Sequence, residues 1–360
     1  MNRMELLRCE RFLQNEANAL DALVIQSQPN MRYFSGFTGD SGGLLICKEK
    51  KLLFTDFRYT EQATQEAADF DVIEFSRGQY GALLFAAIQD AGVRSVGFEE
   101  ETLIYAEAME LLHRMDTVEW IPASQQIMQF RMIKDDEELR NLEKAGELTD
   151  MAFSYALDTF HSGMTEREIA LHMEFFMRTN GAQAVSFPII AASGENGSQP
   201  HAMPTERKIQ QGDMLTLDFG CMVNGYCSDM TRTIGFGTLA SEQKNVYNVC
   251  LEAQLHATRS AQAGLSGREL DAIARNSIDQ YGYGACFGHS LGHGVGLDIH
   301  EQPNISAQSE TVLKPNMVFS IEPGIYCAGK YGVRIEDFGV LTENGYRPFV
   351  HSPKELICLS

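Results

Sequence analysis

Two segments of this chain repeat each other closely enough to restrict its fold to a duplicated one. Gly163-Met-Thr165-Glu-Arg-Glu168-Ile169 is matched by Gly264-Leu-Ser266-Gly-Arg-Glu269-Leu270, 101 residues later. Both contain the Thr/Ser-x-x-Glu spacing of a capping box, in which the hydroxyl and the carboxylate each satisfy a free backbone N–H at a helix start. Both predicted helices run to a glycine at the same offset, Gly181 and Gly282, and both follow a longer helical pattern, Asp136–Phe160 and Ser241–Ala263. An ordered set of this kind predicts two related αα–β halves in one domain. A site built from both halves would lie between them.

At 360 residues the chain exceeds most single cores, so a second domain is expected. Residues 1–125 read as an alternating α/β domain, and 126–360 hold the duplicated part. In the first, a helical pattern over Glu5–Ala19 precedes a strand at Ala22–Gln26. Gly42–Cys47 and Lys51–Thr55 then predict a hairpin around the charged turn Lys48–Lys50. A helix near Arg58–Ala68, a strand at Asp71–Phe75, a helix at Tyr80–Ala91 and a strand at Ser95–Phe98 follow. Such alternation predicts a sheet with helices packed on it. No phosphate-binding glycine loop occurs here. Gln125–Lys134 reads as the connection between the domains.

Charge and composition exclude several function classes. With 49 acidic against 29 basic residues the formal charge is −20, which argues against nucleic acid or an anionic membrane as partner. No apolar run approaches the roughly 18 residues of a membrane span. The N-terminal Met1–Glu10 mixes both signs of charge and lacks the apolar stretch of a signal peptide, so the expected location is the cytoplasm. Eight cysteines, none in a Cys-x-x-Cys pair and most within apolar runs, read as buried free thiols. Met151 and Met173 read as helix core. The excess of acids then raises the question of what cation some of them face.

Asn224-Gly225 separates two extended segments, Asp213–Gly220 and Tyr226–Thr233, and predicts a two-residue type I′ hairpin. In that register the numbers of facing residues total 449, so Asp229 opposes Gly220 and shares a face with Asp218. Diagonal neighbours sit about 7–8 Å apart, within reach of convergence. Two carboxylates aimed at one point repel unless positive charge lies between them. The second half repeats the pattern. Val318–Tyr326 is strand-like and carries Glu322 among apolar residues. Gly332–Asp337 is another strand, with Arg334 and Glu336 on one face and Val333 and Ile335 on the other. A turn-rich interval with Gly329 and Gly332 joins them.

Between these acids lies His289-Ser-Leu-Gly-His293-Gly-Val-Gly-Leu-Asp-Ile-His300-Glu-Gln-Pro303, with three of the chain's nine histidines. Glycines flank His293 on both sides, where backbone or ligand could come close. The inventory is then Asp218, Asp229, His293, Glu322 and Glu336. Four carboxylates and one imidazole are too acidic a set for structural zinc and suit a pair of divalent ions about 3.5–4 Å apart. Cys221 and Cys227 flank these strands but are not expected to be ligands.

These stretches carry a resemblance. LDFG followed by SDMTRT, HSLGHGVGLDIHEQP, SIEPGIY and GVRIED resemble the pita-bread metallopeptidases, which include aminopeptidase P, prolidase, methionine aminopeptidase and creatinase. The similarity covers residues 130–358. Tyr33–Gly39 and Phe54–Tyr59 resemble the extra domain of the aminopeptidase P and prolidase branch, which methionine aminopeptidases usually lack. Creatinases lack the full metal set present here. The resemblance implies an α/β (α+β) fold with a pseudo-symmetric C-terminal pita-bread domain, and two divalent metal ions: manganese first, with cobalt or zinc as alternatives. It implies that Asp218 chelates one ion, that His293 and Glu322 bind the other, and that Asp229 and Glu336 bridge both. Glu322 would also exchange a proton with a bridging water or hydroxide. His201, His289 and His300 would surround the metals and the substrate carbonyl, and His300 and Arg334 would hold the proline side. The implied activity is exopeptidase cleavage between an N-terminal residue and proline, with strict Xaa-Pro dipeptide cleavage as the alternative and an inactive binding module behind it. The implied partners are a small peptide substrate with proline second and a second copy of the chain in a homodimer.

Overall fold

The computed structural model describes residues 3–15, 20–106, 109 and 118–360, and the chain divides into two compact units, Met1–Phe130 and Arg131–Ser360. The first unit contains helices α1 (Arg3–Leu13), α2 (Gln28–Ser35), α3 (Thr60–Glu66) and α4 (Tyr80–Ala91). Its strands are β1 (Ala22–Ile25), β2 (Gly43–Cys47), β3 (Lys51–Thr55), β4 (Asp71–Glu74), β5 (Ser95–Phe98) and β6 (Glu119–Pro122). They form one sheet in the order β4-β3-β2-β1-β5-β6. The predicted hairpin of β2 and β3 is antiparallel, whereas β4, β5 and β6 each join a neighbour in parallel. Val24, Leu45, Phe54, Leu84 and Ile88 pack between the sheet and α4.

Two elements of this region differ from the sequence reading for one shared reason. The sequence reading assigned no element to residues 28–35, but α2 starts there, with Pro29 tolerated in the first turn where its missing N–H costs nothing. Its start is held by Glu99, whose carboxylate accepts from Ser27 N at 2.9 Å, Ser27 Oγ at 2.5 Å and Asn30 Nδ2 at 2.6 Å. Helix α5 (Ser124–Met132) occupies the segment read as a connection. Glu100 Oε2 accepts from Ala123 N and Ser124 N, both at 3.0 Å, at its start. Both helices are capped by acids distant in sequence, which no local spacing records. The helix expected over Glu5–Ala19 is α1, and residues 16–19 of that expectation lie outside the described residues.

The second unit opens with α6 (Asp136–Thr159) and α7 (Glu166–Thr179). Then come β7 (Ala184–Val185), β8 (Ile190–Ser193), β9 (Met214–Phe219), β10 (Cys221–Val223), β11 (Tyr226–Cys227) and β12 (Met230–Phe236). The second half repeats the order with α8 (Ser241–Ser260), α9 (Gly267–Asp279), β13 (Gly292–Gly294), β14 (Glu301–Ile305), β15 (Val318–Ile321), β16 (Gly324–Cys327), β17 (Tyr331–Arg334) and β18 (Asp337–Thr342). Strands β19 (Gly345–Pro348) and β20 (Cys358–Leu359) close the chain.

The duplication is visible in the bonding. Thr165 with Glu168, and Ser266 with Glu269, form reciprocal capping boxes at the starts of α7 and α9. Gly163 N bonds Ile209 O at 2.8 Å, and its counterpart Gly264 N bonds Leu313 O at 2.9 Å. Glu166 N to Arg207 O is likewise repeated by Gly267 N to Thr311 O. The main sheets are β20-β12-β9-β8 in one half and β14-β13-β15-β18-β19 in the other. Apolar faces of α8 (Val246, Cys250, Ala253) and α9 (Leu270, Ala274, Ile278) are buried with Phe319, Ile321, Val333 and Ile335. Full burial of an aliphatic or aromatic side chain of this size contributes about 1.5–3 kcal/mol.

Met173 is buried in α7, but Met151 is not core: it is 50% exposed on α6. It lies between the buried Thr149 and Ala152, off the stripe that they form with Leu148, so helical periodicity turns it outward. Five cysteines are buried, Cys286 and Cys327 are partly so, and Cys358 is exposed on a terminal edge strand.

Candidate metal centre

The Asn-Gly turn forms as its sequence demands, with both residues at positive φ, Asn224 at 48° and Gly225 at 78°. Val223 faces Tyr226, Phe219 faces Met230 and Asp218 faces Thr231, the register read from the turn. The hairpin is not one ribbon, however. It breaks at Gly220 and at Ser228-Asp229, so that β10 and β11 join one sheet while β9 and β12 join another. A Cβ on Gly220 would lie 1.9 Å from Ser228 O, so only glycine permits the crossing.

The second half breaks in the same way. The strand expected over Val318–Tyr326 is interrupted at Glu322-Pro323, and that over Gly332–Asp337 at Ile335-Glu336. Pro323 has no N–H for a ladder. Glu322 N bonds Leu291 O at 2.8 Å, and Glu336 N bonds Thr231 O at 3.0 Å on the other half. Asp229, Glu322 and Glu336 therefore all sit where a strand leaves one sheet for another. A side chain at such a point is aimed by two sheets at once.

The acids converge around one imidazole. His293 Nε2 lies 3.5 Å from Asp229 Oδ2 and 3.4 Å from Glu322 Oε1, and its Nδ1 bonds Gly294 O at 3.0 Å. Ligand atoms of Asp229, His293 and Glu336 lie within 4.8 Å of one another. Ser320 Oγ donates to Glu322 Oε1 at 3.2 Å and accepts from His293 N at 3.1 Å. Thr231 Oγ1 donates to Glu336 Oε2 at 2.6 Å. The guanidinium of Arg334, 4% exposed, donates to Asp218 Oδ2 at 2.5 Å, Thr231 Oγ1 at 3.1 Å, Tyr326 OH at 2.6 Å and Pro200 O at 3.2 Å.

Burial and mutual repulsion dominate the electrostatics. Burial, then Glu336 and Asp218, raise the Asp229 carboxyl well above its usual range. Burial, then Glu322 and Asp218, do the same to Glu336. Glu322 is pushed up to about 8 by burial and by Asp218, against the pull of Arg334. One guanidinium is too little positive charge for four enclosed carboxylates. Two oxygens, Asp218 Oδ1 and Glu336 Oε1, are buried without any hydrogen-bond partner. A buried acceptor without a partner is costly unless a cation takes that place. The donor set, hard oxygens with one imidazole, fits divalent ions.

The remaining predicted residues lie around this cluster. The ring of His300, an exposed residue, stands 4.4 Å from that of His293 in an edge-to-face arrangement. His289 Nδ1 bonds Ser290 O at 2.8 Å, which leaves Nε2 to accept from Tyr326 OH at 3.0 Å. Burial lowers the pKa of His289 to about 4, so it is neutral at pH 7. His201, exposed, is close enough to lower the pKa values of both His289 and His300. Cys221 and Cys227 are buried, and burial raises both thiols, Cys227 to about 12. Sequence reasoning missed Tyr326, Thr231 and Ser320. Alternation along Thr231-Arg-Thr233 and two-residue spacing from Glu322 were the available signals.

Comparison with known proteins decides the family. Residues 140–343 match metallopeptidase family M24, and residues 8–133 match the creatinase/prolidase N-terminal domain. The chain belongs to metallopeptidase family M24. A Xaa-Pro dipeptidase of Pyrococcus horikoshii is 39% identical over 343 residues, 95% of this chain and 96% of that one. Among solved structures, a Xaa-Pro dipeptidase from Bacillus anthracis is 40% identical, with a TM-score of 0.94 over 99% of this chain and 100% of that one. An X-Pro aminopeptidase from Thermotoga maritima is 37% identical, with a TM-score of 0.91 over 98% of this chain and 100% of that one. The fold is the pita-bread fold of this family preceded by its smaller α/β domain. Membership of a metallopeptidase family implies use of a divalent metal. Among the described residues, no helix is long and apolar enough to cross a membrane.

Proposed function

We propose that this M24 metallopeptidase is a dimetal exopeptidase that hydrolyses the Xaa–Pro bond of dipeptides. The observation that carries this reading is the largely buried cluster of four carboxylates and His293, with Asp218 Oδ1 and Glu336 Oε1 lacking partners. Asp218 would hold one ion, His293 and Glu322 the other, and Asp229 and Glu336 both. Manganese is the first choice of metal, with cobalt or zinc as alternatives. When bound, such ions polarise a carbonyl and bring the pKa of water towards neutrality.

The chain's own groups do the rest. Glu322, steadied by Ser320 Oγ, would exchange a proton with the attacking water and the leaving proline nitrogen. His201 and His300, both exposed, would donate hydrogen bonds to the substrate, with removal of one such donor costing about 3–4 kcal/mol of barrier lowering. Sequence reading assigned Arg334 to the proline side, but its guanidinium donates four hydrogen bonds within the protein. We assign it instead to holding Asp218 and Tyr326, with His289 as the buttress behind Tyr326.

The names of several relatives favour dipeptides over longer peptides, reversing the order in which sequence reading ranked the two. The Thermotoga maritima neighbour supports the aminopeptidase reading as the second one. Hydrolysis of a Xaa-Pro dipeptide and a Xaa-Pro-Yaa tripeptide, both with added manganese, separates them. Cleavage of the dipeptide alone is expected, and efficient cleavage of the tripeptide selects the aminopeptidase. A purified protein that holds no divalent ion and is not activated by manganese, cobalt or zinc overturns both.

A further inference from the structure

One buried cation behind the metal centre stands out because every one of its donors is used. Arg232, 1% exposed, lies on β12 three residues after Asp229. Its Nε donates to Pro353 O at 3.1 Å. Its Nη1 donates to Thr231 O at 2.9 Å and Glu336 O at 2.5 Å, and its Nη2 to Asp337 Oδ1 at 2.8 Å and Ser352 O at 2.8 Å. A guanidinium has five N–H donors in a fixed plane, and here all are engaged. The partners come from β12, from the Glu336-Asp337 break and from the C-terminal segment. Lys354 also pairs with Asp337, and Gln254 donates to Asp337 Oδ2 at 3.3 Å.

The C-terminal segment is itself fixed from both halves. Asp150 on α6 accepts from His351 N at 2.7 Å and Ser352 N at 2.8 Å, and Tyr247 on α8 donates to Lys354 O at 2.7 Å. Glu336 is consequently held on three of its four polar groups. Its N–H goes to Thr231 O, its C=O to Arg232 and its Oε2 to Thr231 Oγ1. Only Oε1 is left without a partner.

We propose that Arg232, with Asp337 and the Ser352–Lys354 strap, is a positioning device that sets Glu336 against Asp229 and thereby sets the affinity of the centre for its metal. The segment Asp229–Arg232 carries the Asp229 side chain and grips the backbone of Glu336, so one short stretch fixes the spacing of the two carboxylates from opposite halves. This rests on the metal reading proposed above. All five Arg232 donors are engaged within the protein, so it acts through Glu336 and Asp337. Groups that orient metal ligands from behind typically change metal affinity by about 10–100-fold when removed.

The test is a manganese titration of metal-stripped full-length protein, read by the electron paramagnetic resonance of free ion, well below the melting temperature. Arg232→Lys keeps the charge but loses the planar fork, and its manganese affinity is expected to fall by about 10–100-fold. The double variant Asp337→Asn, Lys354→Gln removes one charge of each sign and serves where Arg232→Lys does not fold. It is expected to weaken binding at least about tenfold. Ile88→Ala, in the core of the first unit, is the destabilised control and should bind manganese as wild type does. A folded variant that keeps wild-type affinity overturns the inference while leaving the proposed function intact. Wild-type protein that binds no manganese, cobalt or zinc overturns both.

Discussion

Glu301 shows how a single residue beside the centre is kept ionised although its side chain is only 6% exposed. Burial alone would raise its pKa, but Lys134 and Arg131 outweigh burial and hold it below the usual range. Arg131 Nη2 lies 2.6 Å from Glu301 Oε2 and 2.9 Å from Asp298 Oδ2, and Lys134 pairs with Glu301 Oε1. A carboxyl whose folded pKa is depressed stabilises the fold at pH values above its unfolded pKa, near 4.5, and loses that contribution as pH falls through its folded value. Glu301→Gln should therefore flatten the acid limb of stability below about pH 4.5. At pH 7 it leaves buried cations uncompensated and should cost about 3–5 kcal/mol. Denaturant unfolding of both proteins at pH 7 and pH 4 checks this, and equal acid sensitivity would contradict it. At the centre, Glu336→Ala removes a carboxylate on which both ions are proposed to depend. No measurable turnover of a Xaa-Pro dipeptide is expected, and full activity would contradict the ligand assignment.

At the scale of elements, caps and close approaches decide the outcome. The boxes at Thr165 and Ser266 start equivalent helices, so Thr165→Ala and Ser266→Ala should each cost about 1 kcal/mol, read from the denaturation midpoint. A cost confined to one of them would mean that the two halves are not equivalent in energy. Gly220 and Gly292 belong to a different class. A Cβ would lie 1.9 Å from Ser228 O at the first and 2.0 Å from Ser320 O at the second, so backbone itself must move. Gly220→Ala should separate Asp218 from Asp229 and weaken manganese binding more than it lowers the melting temperature of the metal-free protein. The Asn224-Gly225 turn and both capping boxes were legible because each rule is local: a positive φ or a three-residue spacing suffices. Helices α2 and α5 were not legible, because Glu99 and Glu100 cap them from more than 20 residues away.

For the whole molecule, the two compact units should respond differently to metal. A ligand that binds only the folded state stabilises it by mass action, about 2.7 kcal/mol at a concentration 100 times its dissociation constant. The five proposed ligands all belong to Arg131–Ser360. Manganese should raise the calorimetric transition of that unit and leave that of Met1–Phe130 in place, and a chelator should reverse the shift. A shift of the first unit alone would put the metal elsewhere.

By itself the sequence determined the duplication, the hairpin register, the two capped helix starts at Thr165 and Ser266, and the set of acids to consider together. Each follows from periodicity, from a turn that demands positive φ, or from a charge that solvent does not explain. Tertiary structure alone decided where the strands break and what each acid touches. Thr231 reaches Glu336 across 105 residues and Arg334 reaches Asp218 across 116. No spacing rule spans such distances, because those contacts exist only once burial has brought the two halves into register. The sequence supplied five ligand candidates, and packing brought them into one largely buried cluster in which two carboxylate oxygens have no hydrogen-bond partner.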